Sequence, residues 1–168
     1  MNDSNENIPT PGTQAANRAA LLAAVLAHPF LRGLAPAHAN TLADNAMFVS
    51  WKSGEMIFRE GDPANRFYLI QNGRVALESV RRDQPPRLIQ HIGAGDVLGW
   101  SWLFPPYYWH FDAQATEPTT AIFFYGTRLR EQCEQDHELG YELMKRMAAV
   151  VIQRLQMTRR QLLAAPQS

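Results

Sequence analysis

The sequence predicts a mainly β fold, an all-β sandwich or jelly-roll barrel, with flanking helices and a long helix after it. Two observations carry this. Short apolar runs separated by turn residues recur about every 8–12 residues from Met47 to Tyr125. No helix-length segment lies between them, which excludes a βαβ arrangement. From Thr127 onward the apolar period changes to three and four residues.

The elements follow in order. Residues 1–15 are polar, with Pro9, Pro11 and Gly12, and read as a disordered or loosely attached tail. The alanine- and leucine-rich stretch Asn17 to Ala27 is a short helix that Pro29 stops. Pro36 to Leu42 is a second one, with Pro36 in its first turn. Strands are expected at 47–49, 56–58, 67–70, 75–77, 88–92, 109–115 and 121–125. Asn72-Gly73 between two apolar runs reads as a hairpin turn, and the connection at 60–66 as a shaper of another hairpin. Thr127 is the expected cap of a short helix over Arg128 to Glu134, and a long helix runs from about His137 to Leu163. One domain is expected over 16–163, with the barrel at about 46–126.

Bulk properties narrow the function classes. The 168 residues have a formal net charge of zero and a pI near 7.0, which argues against nucleic-acid binding driven by overall charge. Cys133 is the only cysteine, so neither an intrachain disulfide nor a four-cysteine iron–sulfur site is available. No run of 18 apolar residues and no leader pattern is present, so the cytoplasm is the expected location and no membrane contact is expected. A metal-dependent barrel enzyme would need histidines and a carboxylate converging on one site. His28, His38, His91, His110 and His137 form no HxH or HxxxH pair, so neither an enzyme nor a metal is expected. No cofactor is expected; a lone histidine or Cys133 as a haem ligand is more often structural.

The stretch GAGDVLGWSWLFPPYYWHFDAQA, from Gly93 to Ala115, concentrates the unusual chemistry. Seven aromatics lie between Trp100 and Phe111, and Pro105-Pro106 stiffens the loop among them. On a strand, Trp109, Phe111, Ala113 and Ala115 would share the core face, and His110, Asp112 and Gln114 the other.

The glycine, strand and hairpin framework in GEMIFREGDPANRFYLIQNGRVAL at 54–77, IGAGDVLGW at 92–100 and HFDAQA at 110–115, with the long helix ending in RLQMTRRQLL, resembles the cyclic nucleotide-binding domain of the catabolite activator and FNR-like regulators. The resemblance spans about residues 28–163. It implies a jelly-roll barrel (a double-stranded β-helix), a ligand pocket beside it, and a long helix that dimerises. It also implies a cassette in which a glutamate after a glycine holds the ribose 2′-hydroxyl and an arginine–serine pair holds the cyclic phosphate. By that correspondence Gly99 is the glycine, Trp100 stands at the glutamate, Trp109 at the arginine and His110 at the serine. An indole neither accepts a ribose hydrogen bond nor neutralises a phosphate, and no arginine occurs from Gly93 to Phe124. Binding of cAMP or cGMP in the usual manner is therefore not expected.

The pocket candidates are Gly99, Trp100, Ser101, Trp109, His110 and Phe111. Three uses of the segment stay open: an apolar or aromatic ligand stacked in the pocket, a pocket filled by its own tryptophans, or a docking patch for a partner protein. Atypical cyclic nucleotide binding ranks below these. The function expected is that of a non-catalytic regulatory or sensor domain, with a ligand-free interaction module as the alternative. A homodimer is expected through Leu143, Met147, Val150, Val151, Leu155, Thr158 and Leu162 of the long helix. Only AAPQS follows Leu163, too short for a DNA-reading module, so direct DNA binding is not expected.

Overall fold

A computed structural model describes residues 11–80 and 84–164. Helices α1 (Pro11–Ala27) and α2 (Pro36–Asp44) precede eight strands: β1 (Ala46–Trp51), β2 (Met56–Phe58), β3 (Arg66–Asn72), β4 (Arg74–Ser79), β5 (Arg87–Gly93), β6 (Val97–Leu98), β7 (Asp112–Ala115) and β8 (Thr119–Tyr125). Helices α3 (Gly126–Gln135) and α4 (His137–Ala164) follow. The strands form two four-stranded sheets, ordered β1-β8-β3-β6 and β2-β7-β4-β5, with every pairing antiparallel. This is the jelly roll that the strand spacing predicts.

The first sheet has two covered faces, and each face builds a core. Toward the helices, Phe67, Leu69, Ile122 and Phe124 pack with Leu21 and Val25 of α1, Leu42 of α2, Leu129 of α3 and Leu139, Leu143 and Met147 of α4. Toward the second sheet, Tyr68, Ile70 and Ala121 pack with Val75, Leu77, Ile92, Ala113 and Ala115 in the barrel interior. Alternation along β3 sends its residues to the two cores in turn, which is why the strand is buried from Phe67 to Ile70 without a break.

Several sequence expectations need correction. The Asn72-Gly73 turn joins no hairpin, because β3 lies in one sheet and β4 in the other. Gly73 has φ 92°, and a Cβ there would collide with Thr119 and the Pro118 carbonyl. The glycine serves the close crossing between sheets rather than a two-residue loop. The 60–66 connection switches sheets in the same way, from β2 to β3. The first helix begins at Pro11, so residues 11–15 are helical rather than part of a tail; residues 1–10 lie outside the described residues, as do 81–83 of the polar loop. The strand expected from Trp109 begins only at Asp112, and β6 was not anticipated. Thr127 lies inside α3, whose N-cap is Tyr125, without a side-chain cap bond.

Helix α4 is anchored at its start by Asp136, whose carboxylate accepts from the Glu138 and Leu139 amides at 3.1 Å each. The Leu139 bond is the main reason this carboxyl sits below its usual range. The other carboxylate oxygen of Asp136 lies 3.2 Å from Nε2 of His38 on α2. Further along, Arg146 donates to the carbonyls of Phe30 and Arg32 at 2.7 and 3.1 Å, tying α4 to the turn after α1.

His28 joins the same turn to the barrel. Its Nδ1 accepts from the Phe30 amide at 3.3 Å, so Nε2 carries the hydrogen and donates to the Ile70 carbonyl at 3.2 Å. Burial is the largest influence on this imidazole and pulls its pKa below the ordinary 6.5, against smaller upward pulls from the Ile70 bond and Asp96. The unfolded chain then takes up the proton first. Stability from this group is complete above about pH 6.5 and is lost as pH falls toward the folded value. Thermal unfolding measured from about pH 7.5 down to about 5.5 should show a falling midpoint, and His28→Gln should flatten that slope. Equal slopes in the two proteins would refute the assignment.

Candidate functional site

The segment after β5 is built by glycine turns. Asp96 accepts from the Gly93 amide at 2.9 Å, and the Gly95 amide donates to Ile70 at 2.9 Å, which delivers β6 alongside β3. Gly99 has φ 87°, and a Cβ there would lie 2.8 Å from Cη2 and Cζ3 of Trp109. Its missing side chain is the seat of the Trp109 ring.

From Gly99 the loop sends one tryptophan to each core. Trp102 is fully buried on the helix side and stacks on Phe67 at 4.8 Å, which itself stacks on Phe124 at 4.6 Å. Trp109 is buried on the barrel side and stacks on Phe58 at 4.0 Å with the planes 13° apart. The loop between them is braced by the 61–64 turn: Trp109 donates to Asp62 at 3.0 Å, Gly61 to Trp109 at 2.9 Å and Ala64 to Tyr107 at 2.7 Å. Tyr107 adopts φ 61°, a strained value for a non-glycine residue, and Arg130 lies 4.3 Å over its ring while donating to the Trp102 carbonyl. The indole N–H groups of Trp102 and Trp109 are buried without a hydrogen-bond partner among the described residues. Each costs roughly 1–3 kcal/mol, so stacking and burial are what hold the two rings.

The six sequence-predicted pocket residues surround one cleft. Gly99, Trp100, Ser101, Trp109, His110 and Phe111 all line it, but its volume is only about 20 Å³. That is room for about one water. Trp100 is half-buried, with exposed His110 stacked on it at 5.5 Å. His110 and Asp112 do not pair: Asp112 is buried and accepts from the Glu60 amide at 2.7 Å, with Arg59 at 3.8 Å. The core face expected from alternation holds for Trp109, Ala113 and Ala115, while Phe111 is only half-buried.

On the far side of Trp100 and Phe111 lies a larger cavity of about 240 Å³, between the second sheet and α4. Leu77, Ile89 and Gln90 supply its barrel wall, and Val151, Arg154, Leu155 and Thr158 its helix wall. Arg154 reaches from α4 to donate to the Val97 carbonyl and also borders the small cleft. Burial lowers its pKa from the ordinary arginine value, with Asp96 pulling the other way. A second guanidinium, Arg66, sits 5.9 Å over the Trp109 ring and donates to the Tyr68 hydroxyl at 2.6 Å.

Sequence gives Arg66 no role and makes Arg154, with Arg146, Arg159 and Arg160, part of a solvated basic helix face, whereas Arg154 is half-buried and bonded to Val97. The signal for Arg154 was present: Leu143, Met147, Val150 or Val151 and Thr158 form an inward stripe, and Arg154 falls on it by three- and four-residue steps. Hydrophobicity alone puts Leu155 on that stripe instead. The structure corrects this, since Leu155 is 64% exposed while Arg154 packs inward. Of the residues expected at the dimer face, Leu155 and Leu162 are exposed. Leu143 and Met147 are fully buried in the chain's own core, Val150 packs against that core, and Val151 and Thr158 line the cavity. The exposed apolar residues of α4 include Tyr141, Met144, Ile152, Leu155 and Leu162.

Comparison with protein families gives one match. Residues 48–136 match the model of the cyclic nucleotide-binding domain. A solved structure from Geobacter metallireducens, assigned as a cyclic nucleotide-binding protein, is 28% identical with a TM-score of 0.73, covering 79% of this chain and 96% of its own. The sensor domain of the transcriptional regulator DNR from Pseudomonas aeruginosa shares the fold at 18% identity and a TM-score of 0.67, over 83% of this chain and 94% of its own. The acetyltransferase Pat of Mycolicibacterium smegmatis is 35% identical over 82 residues, which is 49% of this chain. The chain spans only 23% of the length of that relative.

Truncating Trp109 tests the seat. Trp109→Ala should cost about 3–5 kcal/mol in urea unfolding, as for a large core aromatic. A loss below about 1 kcal/mol would mean the ring is not packed as described.

Proposed function

The chain belongs to the cyclic nucleotide-binding domain family, and on that premise we propose that it is a non-catalytic regulatory sensor that does not take cAMP or cGMP through the family's phosphate cradle. One observation carries this reading: the Trp109 ring is seated on Gly99 and stacked on Phe58, leaving about 20 Å³. A cyclic phosphate needs a guanidinium fork and free amides at that place, and a buried phosphate without them is unfavourable by several kcal/mol. Trp100 lacks the carboxylate that would grip a ribose hydroxyl. Expelling Trp109 to make room would forfeit its burial as well.

The self-filled cradle favours an interaction module, whereas the 240 Å³ cavity beside α4 favours a sensor whose ligand site has moved. The second reading has the stronger support, because the cavity is bounded by the helix that would transmit a signal. The chain would act as a homodimer through Tyr141, Met144, Ile152, Leu155 and Leu162, which lie along one exposed side of α4. Among the described residues no helix is long and apolar enough to cross a membrane.

Two measurements test the proposal. Calorimetric titration with cAMP and cGMP should show no binding tighter than about 1 mM; a micromolar dissociation constant would overturn the reading of the cradle. Sedimentation equilibrium at tens of micromolar should give a dimer that Leu155→Glu converts to monomer with the circular dichroism unchanged. A monomeric wild-type chain would remove the dimer from the proposal.

A further inference from the structure

We propose that the cavity between the second sheet and α4 takes a small amphipathic carboxylate, with its head group on the Arg154 guanidinium and its apolar body against Trp100 and Phe111. This deepens the sensor reading and rests on it.

Three features define the ligand. The first is charge. Arg154 has five N–H donors and spends one group, Nη2, on the Val97 carbonyl. Among the described residues no carboxylate lies within ion-pair distance of it; Asp96 acts at longer range while accepting from the Gly93 amide. A half-buried cation with uncommitted donors beside an apolar wall favours an anion that can accept from its fork. The described lining contains no second cation. One positive charge matches a monoanion such as a carboxylate, whereas a phosphate dianion would keep an unpaired charge.

The second feature is the wall. Leu77, Ile89, Val151 and Leu155 are aliphatic, and the faces of Trp100 and Phe111 complete an apolar lining. Gln90 is the polar residue of its barrel wall, and its amide donates to the Met157 sulfur at 3.1 Å. A thioether is a weak acceptor, so that amide can turn to a ligand at little cost.

The third feature is size. About 240 Å³ lies just below the roughly 300–1,000 Å³ of pockets for drug-sized ligands. A single ring or a medium-length chain fits, and a dinucleotide does not. Exposed Leu155 places the entrance at the outer edge of α4.

The test uses the full chain and two matched pairs of probes: octanoate with 1-octanol, and 4-phenylbutyrate with 4-phenylbutan-1-ol. Binding is followed by nuclear magnetic resonance at the Trp100 indole, the Phe111 amide and Arg154 Nε. Each acid should bind at least about tenfold more tightly than its alcohol, with shifts at all three positions. Arg154→Met should abolish the preference while leaving alcohol binding in place. Because Arg154→Met also removes the Val97 bond and can lower stability, Leu155→Trp serves as an independent variant. It keeps the guanidinium, fills the cavity from its exposed rim, and should weaken acids and alcohols alike. Equal affinity of acid and alcohol in the wild type overturns the proposal. So does a preference that survives Arg154→Met, or the absence of shifts at Trp100 and Phe111 with millimolar probe. A cAMP titration read in the same spectra separates the two levels: shifts at Gly99 and Trp109 would overturn the cradle reading, while silence there alongside failed carboxylate binding overturns only the present inference.

Discussion

The stacking of Trp109 on Phe58, made possible by the bare Cα of Gly99, is the contact on which the rest of this molecule turns. The first sheet separates two cores, and the loop from Gly99 to Phe111 crosses its end. Trp102 plugs the helix-side core and Trp109 the barrel-side core, so one loop fastens both. Large aromatic rings suit this task because each buries a broad apolar surface with few torsions to immobilise. The two unpaired indole N–H groups show that packing outweighs hydrogen bonding at these sites.

That fastening has an electrostatic consequence. A cradle for a cyclic phosphate is normally held by charges that the ligand neutralises, and an unliganded cradle of that kind leaves a guanidinium and a carboxylate near apolar walls. Here the positions corresponding to those groups, Trp100 and Trp109, carry no charge, and Trp109 is held by stacking. The nearby cations enter from elsewhere: Arg66 covers the Trp109 ring from β3, and Arg154 arrives from α4. The space lies with the helix as well: the cleft at the loop holds about 20 Å³ and the cavity beside α4 about 240 Å³.

Helix α4 then serves three environments along one rod. Its first half is bound into the core through Leu139, Leu143 and Met147, held by the Asp136 cap and by Arg146 on the turn after α1. Its second half bounds the cavity through Val151, Arg154 and Thr158, and its outer side carries Tyr141, Ile152 and Leu155. A rod clamped at one end and bordering a cavity at the other is a suitable element for a ligand to bias, because small changes at the cavity act on the less tightly packed half.

The sequence by itself determined the class of fold, the order of elements and the absence of the usual nucleotide-gripping groups. Those are local properties: short continuous apolar runs marked β3 and β8, three- and four-residue spacing marked α4, and Trp100 and Trp109 stood where a carboxylate and a guanidinium would be needed. Only the tertiary structure decided which sheet each strand joined, where Trp109 went, and which side of α4 faced inward. Asn72-Gly73 has the local chemistry of a hairpin, yet steric crowding by Thr119 and Pro118 belongs to a crossing between sheets that no window around residue 73 contains. Leu155 looks more suited to the interior than Arg154 on hydrophobicity alone. The Val97 carbonyl, brought beside α4 by the folded barrel, reverses that choice, because a long side chain can bury its stem while its head finds an acceptor far away in sequence.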